Sequence, residues 1–447
     1  MRRTWAYWWV AGVVVLGAGR LPAQTEARAL LSDQASRPTP AASVQLSDRA
    51  QIAAMPTGLL TAGASCDTCA GKAADSCDDC GGKGSGSGSC CDEPWSLFPV
   101  LPRGIRVGGW LSGGVTYNAK GINNGTGNFP VEFGNASDGF LGNQAWAFVE
   151  RVANTGGNGV DWGFRADYVF GADAPNTQAF GDQTWDFSWN SSRDYGSAIP
   201  QLYFDLAINN LTIRAGHFFT IIGYESVPAA NNFFYSHSLT MNYGEPFTHT
   251  GILGIYEVNP CWTLYAGWSM GWDSGFDNRD DGQMAIGGLA WTPNDWLEVR
   301  YMFTAGNWGD GTPTNAGDLY MHSFVASMEV TERLTYVFQS DYALNFNLPN
   351  TATDPTWYGA NNYFFYEINP CWKLGARIEW FRDKQGVRLG TAGNFYEATA
   401  GLNWAPTANF RVRPEVRWDW YQGAGQPFHG GTDKDITTFG VDFVWLF

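Results

Sequence analysis

Three sets of residues have types and spacings that could do chemistry. The first is a run of thiols: Cys66, Cys69, Cys77, Cys80, Cys90 and Cys91. Cys66/Cys69 and Cys77/Cys80 form two CxxC pairs, and four thiolates so placed can hold a tetrahedral Zn²⁺. In an oxidising compartment the same cysteines would form disulfides instead, and their connectivity is not readable from spacing. The second set is ionic. Glu225 and Glu245 sit in one long aromatic stretch, and Arg300, Arg377, Arg411, Arg413 and Arg417 sit in segments of alternating polarity. Acids and bases opposed across a water-filled passage create a transverse field that orients polar solutes. The competing reading pairs the arginines with close neighbours Glu298, Glu379, Glu415 and Asp419 across adjacent strands. The third set is weaker. Asp273, Asp277, Asp280 and Asp281 offer oxygen ligands for Ca²⁺ without the EF-hand spacing, so a solvated acidic loop is expected. His249, in a Thr-His-Thr, has no nucleophile-elbow motif beside it, and no catalytic role is expected.

What must position these residues follows from composition. The chain has 447 residues, 16% of them aromatic, with 55 Gly and a net charge of -16. Charged residues make up 16%, where soluble domains average about 25%. Disorder and a coiled coil are excluded, and the acidic balance argues against a nucleic-acid partner. An aromatic, Gly-rich, Lys-poor chain is either a secreted all-β protein or a membrane barrel.

The N-terminus reads as an export signal. Arg2 and Arg3 precede an apolar run from Trp5 to Gly19, and Ala23 closes a short segment that could be cut. That run is shorter than the ~20 residues of a spanning helix. Residues 1–23 are therefore expected to be a signal peptide. Residues 24–95 are expected to be a polar linker carrying the Cys-rich segment 66–91, and residues 96–447 a single barrel.

From about residue 104 the pattern has period two. Phe410, Val412, Val416, Trp418 and Trp420 share one face of a segment, and Arg411, Arg413, Glu415, Arg417 and Asp419 share the other. Leu297, Val299, Tyr301 and Phe303 likewise oppose Glu298 and Arg300. Such segments are strands with an apolar and a polar face. Short turns, such as Asn259-Pro260-Cys261, Thr292 to Asp295, Asn369-Pro370-Cys371 and Ala405 to Ala408, alternate with long polar stretches. Seven such turns and eight long loops give about sixteen strands, as in a transmembrane antiparallel up-and-down β-barrel. Tyr256-Glu257-Val258-Asn259-Pro260-Cys261-Trp262 recurs as Tyr366-Glu367-Ile368-Asn369-Pro370-Cys371-Trp372, which is a repeated hairpin. Cys261 and Cys371 would share the periplasmic rim, either bridged (to each other or to the cluster) or as unpaired thiols. Phe439, Val441, Phe443, Trp445 and Phe447 alternate to the last residue. A closing strand ending on Phe443, Trp445 and Phe447 resembles the signal read by the outer-membrane barrel-assembly machinery.

Residues 214–251 contain Gly216-His217-Phe218-Phe219-Thr220, Gly223-Tyr224-Glu225, Asn232-Phe233-Phe234-Tyr235-Ser236 and Pro246-Phe247-Thr248-His249-Thr250-Gly251. This stretch resembles the signature of the OmpL-like putative β-barrel porin-2 family, over roughly residues 104–447. The resemblance implies an outer-membrane porin passing small hydrophilic solutes and embedded in outer-membrane lipid; general porins of this size are often trimers, so a homo-trimer is expected. It also implies that the third long loop, which carries Glu225 and Glu245, folds inward. The alternatives are a structural barrel with an occluded lumen anchoring the cysteine module, and a soluble secreted β-propeller or carbohydrate-binding protein.

Overall fold

The computed structural model describes residues 94–447, apart from 122–126, 132, 134–138, 181–184, 187–188, 190–193, 278–281, 310–317 and 347–352. The expected signal peptide and the cysteine cluster, with its Zn²⁺ and disulfide alternatives, lie outside the described residues, as do Asp280 and Asp281.

Sixteen strands follow one another along the chain. The first half comprises β1 (Arg106–Asn118), β2 (Leu141–Arg151), β3 (Val160–Gly171), β4 (Gly196–Ile208), β5 (Leu211–Phe219), β6 (Thr248–Asn259), β7 (Trp262–Ser269) and β8 (Gln283–Asn294). The second comprises β9 (Leu297–Asn307), β10 (Asp318–Thr331), β11 (Leu334–Phe346), β12 (Thr356–Asn369), β13 (Trp372–Asp383), β14 (Gly393–Thr407), β15 (Phe410–Gln422) and β16 (Asp435–Leu446). Each pairs antiparallel with its sequence neighbours, and β16 returns to β1, with Leu111 opposite Trp445 and Gly113 opposite Phe443. Closure leaves no unpaired edge, which is what allows strands to cross lipid. No helix among the described residues is long and apolar enough to cross a membrane.

The alternation in the sequence sets which face points inward. In β15, Arg413, Glu415, Arg417 and Asp419 are buried inside, while Val416 and Trp418 are exposed outside. The same inversion runs around the barrel: Phe204 is 48% exposed, Ile252 52% and Ile378 51%. In a soluble protein these apolar faces would form the core, so the propeller reading fails. A continuous apolar outer wall is instead the surface a bilayer covers.

The turns also have local causes. In the repeated hairpins the Asn259 Oδ1 accepts the N–H groups of Cys261 (2.9 Å) and Trp262 (3.1 Å). Asn369 does the same for Cys371 (3.0 Å) and Trp372 (3.1 Å). This Asx geometry, with Pro next in the turn, closes a two-residue connection. Beyond it Trp262 stacks on Trp291 at 5.6 Å and Trp372 on Trp404 at 5.7 Å. Cys261 and Cys371 are both disulfide-bonded, so of the two alternatives the bridged one holds and unpaired thiols do not. Two expected turns are shorter than the sequence suggests. Residues 292–294 belong to β8 and 405–407 to β14. The register shifts between Trp291 and Asn294 and between Trp404 and Thr407, so an irregularity accommodates Pro293 and Pro406, which have no N–H for the ladder.

Candidate functional site: a loop clamped inside the barrel

The third long connection, L3 (residues 220–247), packs into the barrel. Apart from Asn231 and Phe233, every residue in it is buried. A buried loop must find partners for its own backbone groups. L3 finds them on the charged inner faces of β13, β14 and β15.

The arginines take the loop carbonyls. Arg411 donates to Ala230 O, and Arg413 donates to Ala229 O (2.9 Å) and Asn232 O (2.8 Å). Arg377 donates to Ser236 O (2.8 Å), and Arg417 donates to His237 O. The carboxylates take the loop N–H groups. Glu415 accepts from Tyr235 N (2.9 Å) and Ser236 N (3.1 Å). Glu379 accepts from Leu239 N and Thr240 N, both at 2.6 Å. Each clamp arginine except Arg411 also pairs with a wall carboxylate: Arg377 with Glu397 (2.8 Å), Arg413 with Asp442 (2.5 Å) and Arg417 with Asp419 (2.7 Å). Arg413–Asp442 therefore pairs across adjacent strands, as weighed above, while Arg417 and Asp419 pair within one strand. Spacing of two residues makes this possible, because it places successive charges one above another on the inner face.

Of the expected opposed pairs, the structure brings together Glu225 and Arg377, 2.8 Å apart. Glu225 also accepts from Tyr363 OH and Ser238 N, each at 3.0 Å, and lies 3.0 Å from His237 Nδ1. Burial alone would raise this carboxyl, but Arg377, followed by His237, holds it down at about 2. Arg300 lies 3.3 Å from Glu298, on its own strand. The remaining arginines are not arrayed across from Glu225 and Glu245. They are engaged by the loop backbone and wall acids, so of the expected facing charges only Glu225 and Arg377 meet, as a direct loop-to-wall pair. Glu245 takes its hydrogen bond from Gln339 Nε2 and lies against Asp341 on β11. Burial, and then the Asp341 carboxylate, pushes the Glu245 carboxyl well above the ordinary range.

Apolar packing completes the clamp. Ile221, Ile222, Leu239 and Tyr243 of L3 pack with Leu253, Met284, Ile286, Met302, Leu319 and Met321 on β6 and β8–β10. Tyr224 and Phe234 pack with Val325, Val337, Tyr363 and Phe365. Gly375 on β13 makes room for this: a Cβ there would fall 2.2 Å from the Phe233 ring.

Other residues singled out in the sequence have structural partners. His249 Nε2 lies 2.9 Å from Thr220 Oγ1 at the root of L3. Asp273 Oδ1 accepts Phe247 N (2.5 Å) and Thr248 N (2.8 Å), so it pins the loop's exit rather than facing solvent. Phe443 stacks on Phe410 at 6.0 Å, and the Phe447 N–H donates to Gly109 O at 3.0 Å, so the C-terminus completes the closing seam. Glu397, Asp442, Gln339, Asp341 and Asn361 were missed as site residues. Their signal was available, since each lies on the inner face of its strand.

The comparisons with known proteins agree with this geometry. The family model for the putative β-barrel porin-2, OmpL-like family matches residues 104–447. Among solved structures, the outer membrane channel DcaP of Acinetobacter baumannii aligns with TM-score 0.53 at 10% identity, covering 77% of this chain and 97% of that one. An anion-selective porin from Comamonas acidovorans aligns with TM-score 0.53 at 11% identity, covering 77% and 99%. OmpT of Vibrio cholerae in its trimer form aligns with TM-score 0.50 at 12% identity, also covering 77% and 99%. A search of curated proteins found no match. At such identities the solved structures speak for the fold, and the family match speaks for kinship. The chain thus belongs to the putative β-barrel porin-2, OmpL-like family and is an outer-membrane porin.

Proposed function

We propose that this porin passes small hydrophilic solutes by passive diffusion, and that L3 with its wall partners sets the width and charge of the passage. The observation that carries this reading is the polar inner wall of a closed sixteen-strand barrel, with a loop held inside it by charged side chains. Within it, Glu225 and Arg377 supply the opposed charges of the constriction. Arg411, Arg413 and Arg417 hold the loop that forms its rim, Arg300 lies farther around the wall on β9, and Glu245 lies at the loop's end against β11. We assign the chain no catalytic role, since His249 is committed to the base of the loop. The trimer form of the Vibrio cholerae neighbour supports a trimer here as well. Phe443, Trp445 and Phe447 on the closing strand fit recognition by the barrel-assembly machinery. We further propose that the residues before the barrel are periplasmic, where an oxidising compartment favours disulfides over Zn²⁺ for the cysteine cluster.

Planar-bilayer recording of the purified protein tests the reading. Stepwise conductance is expected, and Glu225→Gln is expected to shift the reversal potential in a salt gradient. Absence of channel events would sink diffusion through this barrel. An unchanged reversal potential would remove Glu225 from the constriction.

A further inference from the structure

The end of L3 that meets β11 carries two acids that no lysine or arginine among the described residues bridges, although His322 acts on Asp341 from β10. Glu245 and Asp341 are both buried, at 0% and 3% exposure, and their carboxyl groups lie within hydrogen-bonding reach of one another. Glu225, also acidic, adds to the negative charge felt by Glu245. Two carboxylates in contact in a dry interior repel strongly unless something positive lies between them.

The hydrogen bonds around them show where it would lie. Gln339 Nε2 donates to Glu245 Oε1 and, at 3.0 Å, to Asp341 Oδ1. Ser323 Oγ donates to the same Asp341 Oδ1 at 2.6 Å. These donors orient both carboxylates and leave the second oxygen of each, Glu245 Oε2 and Asp341 Oδ2, without a hydrogen-bond partner. A third orphan lies on the neighbouring strand β12, between Gln339 on β11 and Glu379 on β13. Asn361 is on the inner face of β12, directly opposite Gln339 in the β11–β12 register. It is 0% exposed, and neither Oδ1 nor Nδ2 has a partner. Gly223 of L3 covers the group: its φ is +87°, and a Cβ there would fall 2.2 Å from Glu245 Oε2.

We propose that Glu245, Asp341 and Asn361 form a binding site for a hard divalent cation of the Ca²⁺ type, which pins the end of L3 to β11 and β12. Three oxygen donors, two of them carboxylates, match the ligand preference of Ca²⁺ and offer no soft donor that would favour a transition metal. The dication cancels the two negative charges and gives all three orphaned oxygens a partner at once. Gln339 and Ser323 act as positioning residues that fix the ligand oxygens. The site does not depend on which solute the porin passes.

The test uses the full-length protein in detergent, stripped with EDTA and returned to CaCl₂, with NaCl at equal ionic strength as control. Bound Ca²⁺ per chain and the temperature of the heat-dependent gel-mobility shift are both measured. Wild type is expected to bind one Ca²⁺ more than Asp341→Asn, and only wild type should gain several degrees on adding Ca²⁺. Asn361→Ala keeps both charges, so it is the variant of choice if Asp341→Asn folds poorly. It is expected to weaken Ca²⁺ binding by roughly tenfold or more. Equal Ca²⁺ binding and equal thermal gain in wild type and Asp341→Asn would overturn the site, as would unchanged affinity in Asn361→Ala. A wild type indifferent to Ca²⁺, with Asp341→Asn more stable than it, would also overturn the proposal and show that a shared proton joins the carboxyls instead.

Discussion

The two sides of the barrel interior hold the same loop by different physics. On β13–β15 the inner wall is ionic, and Arg377, Glu379, Arg413, Glu415 and Arg417 hydrogen-bond individual backbone groups of L3. On β6 and β8–β10 the wall contributes apolar side chains instead: Leu253, Met284, Ile286, Met302, Leu319 and Met321 share one buried cluster with Ile221, Ile222, Leu239 and Tyr243, which Phe381, Phe395 and Tyr421 extend onto β13–β15. Hydrogen bonds to single N–H and C=O groups have direction, so the ionic wall fixes which loop residue sits where. Apolar burial has no direction, and methionine fills irregular gaps, so the other wall holds the loop's bulk without setting its register. A loop held only by the second wall would stay inside but could slide. A loop held only by the first would pay for many buried charges with little apolar gain.

Breaking the ionic wall should have the largest effect. Arg377→Met leaves Glu225 and Glu397 buried without their shared cation, a loss of about 3–5 kcal/mol for a broken buried pair. A lower unfolding temperature by gel mobility and a larger, noisier single-channel conductance are expected; wild-type values for both would erase the contrast between the walls. Met302→Ala strikes the apolar wall and should cost about 2–5 kcal/mol as a core truncation. Its reversal potential should nonetheless match wild type, and a shifted one would show that the apolar wall also sets selectivity.

Acid sharpens the same contrast. The Glu225 carboxyl is held at about 2, below its ordinary 4.5. A depressed carboxyl contributes stability that is fully present above the ordinary value and is lost as pH falls toward the folded one. Wild type should therefore lose thermal stability between about pH 4.5 and pH 2 in a step that Glu225→Gln lacks. Identical acid profiles for the two proteins would count against the Arg377 pairing. The smallest effect is expected outside the lumen altogether. Uncoupling the Trp372–Trp404 stack should cost about 0.5–1.5 kcal/mol in a double-mutant cycle, with conductance unchanged.

Much of the barrel was legible in the sequence because strand signals are local. Alternation told Arg413 from Val416, and the Asn-Pro-Cys-Trp repeats marked two turns through side chains only two or three residues away. Pro293 and Pro406 misled the reading of turn ends, since an irregularity in the ladder can carry a proline that a regular strand cannot. The inward loop was legible through the family resemblance and its aromatic residues. Its partners were not. Arg377 meets Glu225 across 152 residues of chain, and Arg413 meets Ala229 across 184.

The sequence by itself thus determined the strands, their inner and outer faces, the turn order and the kinship. Each of these follows from spacing between near neighbours. Only the tertiary structure decided that four of the arginines clamp a loop backbone, that an ion pair joins Glu225 of the loop to Arg377 of the wall, and that Glu245 meets Asp341. Those outcomes depend on how L3 lies inside the closed barrel, where residues far apart in the chain compete for the same buried charges and hydrogen bonds.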